Sequence, residues 1–156
     1  MKITLNEDKT LNHYEIIITV HPKNKKIAKM AASQMNNIFD EIVVFDDYRN
    51  RYPISIISIY YIEMIDHKMF VYTETEVYRL YTKLSTIKEQ LASFGFYQIN
   101  VRTLVNSKHI QKYTVTKECR REILMDNGEV LISNRRYRCE FDKMIKEKIV
   151  AKKIKQ

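Results

Sequence analysis

The segment FGFYQINVRTLVNSKHI, residues 94–110, has a pattern that neither a single helix nor a single strand explains. Its apolar positions follow neither the 3.6-residue period of a helix nor the two-residue period of a strand. Basic side chains stand among them, at Arg102, Lys108 and His109. The apolar positions are Phe96, Ile99, Val101, Leu104, Val105 and Ile110. This combination indicates an irregular, half-buried segment that carries several cations. The function of such a segment has to be inferred from the rest of the sequence.

The net charge of the chain, +8 at pH 7, is concentrated in its last two fifths. Residues 1–95 hold 12 Lys or Arg and 12 Asp or Glu, whereas residues 96–156 hold 15 basic and 7 acidic residues. Such an asymmetry is typical of a surface that binds a polyanion. A solvated, Lys-rich C-terminal helix would give the same counts, so the charge alone leaves both interpretations open.

Length and composition indicate a globular protein of about one domain that needs no disulfide or metal to fold. The 156 residues include two cysteines, Cys119 and Cys139, which lack the spacing of metal ligands. No signal-peptide pattern opens the sequence, and the most apolar window, ISIISIYYI at 54–62, is too short to cross a bilayer. We therefore expect a cytoplasmic protein with reduced thiols.

The first 50 residues have the pattern of a small β-α-β piece. YEIIITVH at 14–21 is a β-branched run typical of a buried strand, and IVVF at 42–45 predicts a second strand. Between them, Pro22 suits the first turn of a helix. The apolar face of that helix comprises Ile27, Met30, Ala31, Met35 and Ile38. We assign residues 1–50 to an N-terminal extension, a candidate interaction or dimerisation region, and residues 51–156 to the main domain.

Three short strands in succession begin the main domain. The runs at 59–65, 69–73 and 76–81 are rich in β-branched and aromatic residues and predict a meander. A short amphipathic helix over 84–91 follows, and Gly95 suits its C-cap.

A second group of strands lies beyond the quoted segment. HIQKYTV at 109–115 and REILM at 121–125 are candidate strands, and the sequence DNG at 126–128 turns the chain into EVLIS at 129–133. A DNG turn between two such runs is a strong hairpin signal. The last element is a helix whose apolar stripe is expected to pack in the core. The stripe comprises Tyr137, Phe141, Met144, Ile145 and Ile149.

The start of this last helix has an unfavourable charge. Ser133 or Asn134 can cap it through a side-chain oxygen, and Arg135 and Arg136 then fall in its first turn. The helix macrodipole disfavours cations there by up to about 1 kcal/mol. Arginines beside exposed helix-terminal amides nevertheless suit a phosphate, and Arg matches the paired acceptors of guanine. Two tolerated surface arginines are the alternative.

Cations also concentrate in two other loops. His67 and Lys68 stand at the predicted tip of the first hairpin, and the quoted segment supplies Arg102, Lys108 and His109. Short loops on a rigid β scaffold can hold such side chains for binding without a recognition helix. Three loops of the same character favour a binding surface over a chance arrangement.

In this order of elements and motifs the chain resembles the LytTR family of bacterial DNA-binding domains, over about residues 54–149. The motifs that carry the resemblance are ISIYYIE at 57–63, MFVYT at 69–73, LSTIKEQL at 84–91, FYQINVRTLVNSKHI at 96–110 and LMDNGEVLISNRRYRCEF at 124–141. The fourth is the most specific and is similar to the family pattern FFRIHRSYLVNLDHI. Where that pattern has His-Arg-Ser or Ser-Lys-Ser, this chain has Asn100, Val101 and Arg102, so the basic residue is displaced by one position. Either Arg102 reaches the same phosphate from a shifted backbone, or this loop contributes less to binding.

The resemblance implies an α+β, mostly β fold of small stacked sheets with short helices, preceded here by the β-α-β piece. It implies a transcription regulator whose loops enter successive major grooves of double-stranded DNA at repeated promoter elements. It assigns base reading to Arg135, and it implies that the quoted segment crosses from the core to the DNA surface. The DNA-binding residues expected on this basis are His67, Lys68, Asn100, Arg102, Lys108, His109, Arg135, Arg136 and Arg138.

Partners and regulation are implied by the resemblance alone. Many family members carry a phosphoacceptor receiver domain, for which the first 50 residues leave no room, and we interpret Asp46 and Asp47 as a solvated turn. The chain is therefore expected to be a stand-alone LytTR regulator. A homodimer on repeated DNA elements and an inhibitory membrane protein are its expected partners. No cofactor and no small-molecule substrate are expected.

Two other classes of function stay open at this point. Carboxylates and a histidine could form the metal site of a nuclease, although no spacing supports one. The side chains in question are Asp46, Asp47, Glu63, Asp66 and His67. A basic surface could instead bind an acidic protein, with residues 1–50 as the docking region. We expect no enzyme and no metal site, since the sequence also lacks a phosphate-cradling glycine loop and a nucleophile pattern.

Overall fold

The computed structural model describes residue 4 and residues 6–11, 16–118 and 120–154, with the backbone alone at 36–39 and 148–154. The chain divides into two compact units, Met1–Asn36 and Asn37–Gln156. Short 3-10 turns occur at Pro22–Asn24, Ile56–Ser58, Ala92–Phe94, Ser107–His109 and Arg135–Tyr137.

Helix α1, Lys25–Phe39, begins in the first unit directly after the 3-10 turn at Pro22–Asn24. Pro22 stands in the first turn, where its missing N–H leaves no hydrogen bond unmade. The Nδ1 of His21 accepts a hydrogen bond from the N–H of Lys23 at 3.3 Å. The predicted helix after Pro22 is therefore confirmed.

The strand predicted over 14–21 is wrong for its described part. Residues 16–21 form no strand, and the side chains of Ile16, Ile17 and Val20 are exposed. Residues 14 and 15 lie outside the described residues. A β-branched run forms a strand only where a neighbour takes up its backbone hydrogen bonds, and no described strand pairs with this one.

In the second unit, seven described strands form one antiparallel sheet in the order β2-β1-β5-β4-β3-β7-β6. In chain order they are β1 Glu41–Phe45, β2 Arg51–Ser55, β3 Tyr61–Ile65, β4 Lys68–Tyr72, β5 Val77–Leu80, β6 Phe96–Asn100 and β7 Thr103–Asn106. Strands β3, β4 and β5 follow one another as neighbours in the sheet. The predicted meander is confirmed.

Strand β1 is a member of this sheet. It pairs with β2 along its whole length and with β5 through Phe45 and Arg79. The side chain of Val44 is fully buried. The sheet therefore starts ahead of the boundary predicted at residue 50, and the two compact units divide at residue 36.

Helix α2, Leu84–Leu91, packs against the seven-stranded sheet through Ile87 and Leu91. Gly95 follows the helix and its 3-10 turn with a φ of 87°, a left-handed conformation that favours glycine. The predicted C-cap is therefore confirmed. The buried residues here, the first core cluster, are Val44, Ile56, Ile59, Ile62, Met69, Val71, Leu80, Ile87, Leu91, Phe96 and Leu104.

A second antiparallel sheet of the described residues contains three strands in the order β10-β9-β8. They are β8 Ile110–Val115, β9 Arg121–Met125 and β10 Val130–Ser133, and helix α3, Arg138–Ile154, follows. The DNG turn joins β9 to β10, with Gly128 at a φ of 86°, as predicted. The second core cluster is formed by Tyr60, Tyr61, Ile99, Val105, Ile123, Met125, Phe141, Met144 and Ile145.

The predicted capping of the last helix by Ser133 or Asn134 is wrong. The 3-10 turn at Arg135–Tyr137 comes before α3, and the side chain of Asn134 makes no capping hydrogen bond there. Ser133 is buried, and its Oγ accepts a hydrogen bond from the N–H of Arg121 at 3.2 Å. The hydroxyl is used within the second sheet because β10 pairs Ser133 with Arg121.

The structure confirms the predicted fold class, α+β and mostly β, with two small sheets and short helices. The helix stripe of Phe141, Met144 and Ile145 packs in the core as expected. Within the described residues no helix is long and apolar enough to cross a membrane.

Candidate nucleic-acid interface

The first basic loop is the tight turn between β3 and β4. Ile65 pairs with Lys68, so Asp66 and His67 alone form the turn. Their φ values are 48° and 61°, and positive φ at both positions is the mark of a two-residue hairpin turn whose twist matches its strands. The side chains of His67 and Lys68 are exposed at its tip.

The second basic loop is the turn between β6 and β7. The side-chain Oδ1 of Asn100 accepts a hydrogen bond from the N–H of Arg102 at 2.8 Å, which closes the turn. The carbonyl oxygen of Arg102 in turn accepts a hydrogen bond from the N–H of Met64 at 2.8 Å. Since Met64 lies next to the β3–β4 turn, the first two basic loops stand at the same end of the sheet.

The third basic loop joins them from the other sheet. The N–H of Asn134 donates a hydrogen bond to the carbonyl oxygen of Ile99 at 2.8 Å, and the Nδ2 of Asn100 donates one to the carbonyl oxygen of Ile132 at 3.3 Å. The end of β10 is thereby fixed beside the end of β6. Arg135 and Arg136 follow immediately and are exposed.

These three loops form a continuous basic area, which we call the basic end surface. It consists of His67, Lys68, Asn100, Arg102, Arg135 and Arg136. Among the described residues none of these side chains forms an ion pair. The guanidinium of Arg136 stands 5.9 Å from the ring centroid of Tyr137, and Arg138, the first residue of α3, is half-buried. The surface therefore keeps its positive charge available for a ligand.

Lys108 and His109 lie elsewhere. They follow β7, whereas Arg102 precedes it, and a four-residue strand separates its ends by about 10 Å. The carbonyl oxygen of His109 accepts a hydrogen bond from the N–H of Asp126, at the end of β9 remote from the basic end surface. Lys108 is exposed there.

The ring of His109 is held inside the protein. It stacks on the ring of Tyr60 with centroids 4.0 Å apart, and its Nε2 lies 2.6 Å from the carbonyl oxygen of Ile57. Its Nδ1 lies 3.7 Å from the Oδ2 of Asp126, and 19% of the side chain is exposed. Ile57, Tyr60 and Asp126 are far from His109 in sequence, so sequence reasoning had no signal for this anchoring.

The quoted segment is irregular because it contains a bulge, a turn and a strand that is buried on both faces. The register of β6 against β7 shifts between Gln98 and Asn100, which makes Ile99 the extra residue of a bulge. Leu104 belongs to the first core cluster and its neighbour Val105 to the second. Neighbouring apolar residues of β7 are therefore both buried, and the strand shows no alternation of apolar and polar residues.

Sequence reasoning assigned no role to Val101, at the tip of the β6–β7 turn. Its side chain is 56% exposed, although an exposed turn offers valine no packing. The signal was present in the sequence, because an apolar residue stood where the family pattern has a basic one.

The acidic residues considered for a nuclease site are not gathered. Among the described residues no group of three or more His, Cys, Asp or Glu could hold a metal ion. Asp46 belongs to the β1–β2 turn, where its Oδ1 accepts hydrogen bonds from the N–H groups of Tyr48 and Asn50 at 2.9 and 2.8 Å. Although desolvation raises the pKa of Asp46, hydrogen bonds from Asn50, Tyr52 and Tyr48 together lower it. Asp46 and Asp47 form a turn, as interpreted from the sequence.

Comparison with known proteins relates this geometry to one family. The family model described as "LytTr DNA-binding domain" matches residues 49–146. Among solved structures, the chain is similar to the LytTr DNA-binding domain of a protein described as a methyl-accepting/DNA response regulator from Bacillus cereus. The TM-score is 0.64 at 22% sequence identity, over 68% of this chain and 97% of the other, so this likeness establishes a shared fold. No curated protein matches the chain.

Proposed function

Since the chain belongs to the LytTR family of DNA-binding domains, we propose that it is a transcription regulator that binds specific double-stranded DNA sites through the basic end surface. The family is one of DNA-binding domains and not of enzymes. The proposal rests on one observation above all, the hydrogen bonds that tie three exposed basic loops to the same end of the fold. Loops joined in this way present their cations to the same ligand.

The three loops suit a groove-reading role that needs no recognition helix. His67 and Lys68 at one tip, and Arg102 at the next, supply cations to phosphates or bases of one major groove. Arg135 precedes α3, and its planar fork can pair with the O6 and N7 atoms of guanine. The proposal is that these loops enter successive major grooves and that the promoter carries the recognised element more than once.

Lys108 and His109 take lesser roles in this proposal. Lys108 is exposed beyond the far end of β7 and serves as a peripheral phosphate contact. His109 holds the loop in position through its contacts with Tyr60 and Ile57, and its ring does not reach DNA. Arg138 is half-buried at the start of α3 and therefore contributes less to DNA contact than Arg135 and Arg136 in this proposal.

The first unit is proposed as the region of protein contacts. Ile27 and Met30, on one face of α1, are exposed, as are Ile16 and Ile17 ahead of it. Exposed apolar residues in such number are typical of an interaction surface. A second copy bound to the adjacent DNA element and an inhibitory membrane protein are the proposed partners, and the proposed location is the cytoplasm.

The function is tested by selecting bound fragments from a random pool of double-stranded DNA. A consensus element should emerge, and affinity for it should exceed affinity for bulk genomic DNA about a thousandfold or more at physiological salt. Binding should not change with EDTA, and the DNA should stay intact with Mg²⁺. Arg102→Ala should weaken binding, whereas Lys112→Ala, at an exposed lysine of β8, should not. A pool in which genomic competitor removes every preference would refute the proposal.

A further inference from the structure

A cleft opens beside the basic end surface, within the second unit. It has a volume of about 640 Å³ and lies between the β3–β4 hairpin, the end of β5 and the start of α2. Lys68, Arg79 and Lys83 line it, and all of its lining residues are described and none is acidic. His67 also lines it, and His67 and Lys68 belong to the basic end surface. Arg79 and Lys83 are therefore cations that the proposed function leaves without a role.

Arg79 is a cation held in a fixed place. Its guanidinium carbon lies 4.9 Å from the ring centroid of Phe70, its partner across the sheet, and 5.6 Å from that of Tyr81. Its Nε is buried and has no hydrogen-bond partner. Among the described residues, no other buried side-chain nitrogen or oxygen lacks one. Because this Nε is buried, an anion in the cleft would contact the terminal NH groups of Arg79, which are not among the buried atoms without a partner.

The start of α2 adds backbone donors to the same cleft. Lys83 is the N-cap residue, and its side chain makes no capping hydrogen bond. The first turn contains no acidic residue, and Thr86 of that turn lines the cleft. Free N–H groups at a helix start, together with the helix dipole, favour an anion.

The positive charge of the cleft is not neutralised by the protein. In the described part of the chain no carboxylate forms an ion pair with Lys68, Arg79 or Lys83. Three like charges around one cleft repel one another, and an oxyanion between them would remove that repulsion.

We propose that this cleft binds a phosphate group. The phosphate oxygens accept hydrogen bonds from the terminal NH groups of Arg79, from the ammonium groups of Lys68 and Lys83, and from the first turn of α2. Thr82 and Thr86 add hydroxyl donors. One source of the phosphate, which rests on the proposed function, is the DNA backbone next to the basic end surface; the other is a free phosphate-bearing small molecule.

The site itself is tested without DNA. Inorganic phosphate is titrated into the ¹⁵N-labelled full chain at constant ionic strength, and the amide signals of Ser85 and Thr86 are followed. We expect saturable shifts, with binding about tenfold weaker in Lys83→Gln because one charge-assisted hydrogen bond is lost. Arg79→Gln should weaken binding similarly, and Lys83 is exposed, so at least its variant should keep the fold. Lys112→Gln, a matched exposed lysine, should bind phosphate as the wild type does.

Shifts that do not saturate, or that are equal in all four proteins, would overturn the proposal. The source of the phosphate is then identified by measuring affinity for a selected DNA fragment over a salt series. If the phosphate belongs to DNA, Lys83→Gln should lower the magnitude of the log-affinity versus log-salt slope by roughly one unit and leave base preference unchanged. An unchanged slope with saturable phosphate binding assigns the cleft to a free ligand. If the wild type has no preference among DNA sequences, the proposed function fails. The phosphate titration still shows whether the cleft binds phosphate.

Discussion

Arg135 and Lys108 are both exposed cations of the second unit, but their surroundings differ. Arg135 begins the 3-10 turn ahead of α3, where the helix dipole disfavours its charge, and it lies on the basic end surface. Lys108 lies beyond the far end of β7. A cation at an unfavourable position indicates a specific contact, such as one with a base. An isolated, flexible lysine is typical of a contact with a phosphate.

We predict that the two alanine variants differ in kind. Arg135→Ala should cost about 1–3 kcal/mol on the best DNA site and relax the preference at one base position, because a bidentate contact with guanine is lost. Lys108→Ala should weaken all sequences about equally and lower the salt slope by roughly one unit. Affinities are measured over a salt series on the matched site and on sites with single base changes. A uniform loss for Arg135→Ala would show that Arg135 contacts only the DNA backbone.

Val101 is predicted to read a thymine. A valine 56% exposed at a turn tip between Asn100 and Arg102 can contact the 5-methyl group of that base. Val101→Ala should lower affinity for the selected site about threefold to tenfold, as expected for about one to two buried methyl groups.

The matching change is made in the DNA, by replacing each thymine of the site with uracil, which lacks the methyl group. One replacement should weaken the wild type as much as Val101→Ala does and should have no effect on that variant. Val130→Ala is the control, since Val130 is 55% exposed at the start of β10, away from the basic end surface. Equal sensitivity of wild type and Val101→Ala to every uracil would exclude the contact.

At the scale of elements, one ion pair joins the second sheet to the last helix. The Nε and Nη2 atoms of Arg121 on β9 donate hydrogen bonds to the Oδ1 and Oδ2 atoms of Asp142 on α3, at 3.2 and 3.0 Å. The side chain of Arg121 is 11% exposed. An arginine so placed depends on its partner, because few water molecules can replace the carboxylate.

Asp142→Ala should therefore destabilise the protein by about 1–3 kcal/mol. Glu140→Ala is the matched control on the same helix, since Glu140 is exposed and lies 4.0 Å from Lys88; its loss should cost about 0–1 kcal/mol. Both free energies of unfolding are measured in urea at pH 7. Equal costs would mean that the Arg121 pair stabilises no more than a surface pair.

At the scale of the whole molecule, the position of β1 decides where the chain can be cut. β1 lies between β2 and β5 in the sheet, and it buries Val44. Removal of residues 1–36 leaves every strand of the sheet in place, whereas removal of residues 1–50 takes away β1 and leaves β2 without its neighbour.

We predict that the fragment 37–156 folds cooperatively and keeps the base preference of the full chain, with altered self-association. The fragment 51–156 should be markedly less stable, since it exposes the edge of β5 and part of the first core cluster. Urea unfolding, DNA selection and sedimentation of the three proteins provide the measurements. A fragment 51–156 as stable as 37–156 would mean that β1 is dispensable for the sheet.

The sequence by itself determined the types of the local elements and the family. Runs rich in β-branched and aromatic residues predicted β3, β4 and β5, and REILM was a candidate strand that forms β9. The glycines at 95 and 128 marked a cap and a turn, and spaced motifs indicated the LytTR domain, which the family match confirms. These features depend on residues close together in the chain, and local sterics and hydrogen bonding decide them. The β-branched run at 14–21 misled the same reasoning for its described residues, 16–21, because a strand also needs a partner.

The tertiary structure alone decided which residues meet. Asn134 reaches Ile99, and Arg102 reaches Met64, through hydrogen bonds between residues more than 30 positions apart, and these contacts bring three basic loops together. The same packing places Lys108 at the end of β7 opposite Arg102, and it stacks the ring of His109 on that of Tyr60. No local sequence period predicts such contacts, because they depend on how the two sheets pack together. Strand β7 takes part in both core clusters, since Leu104 belongs to the first and its neighbour Val105 to the second.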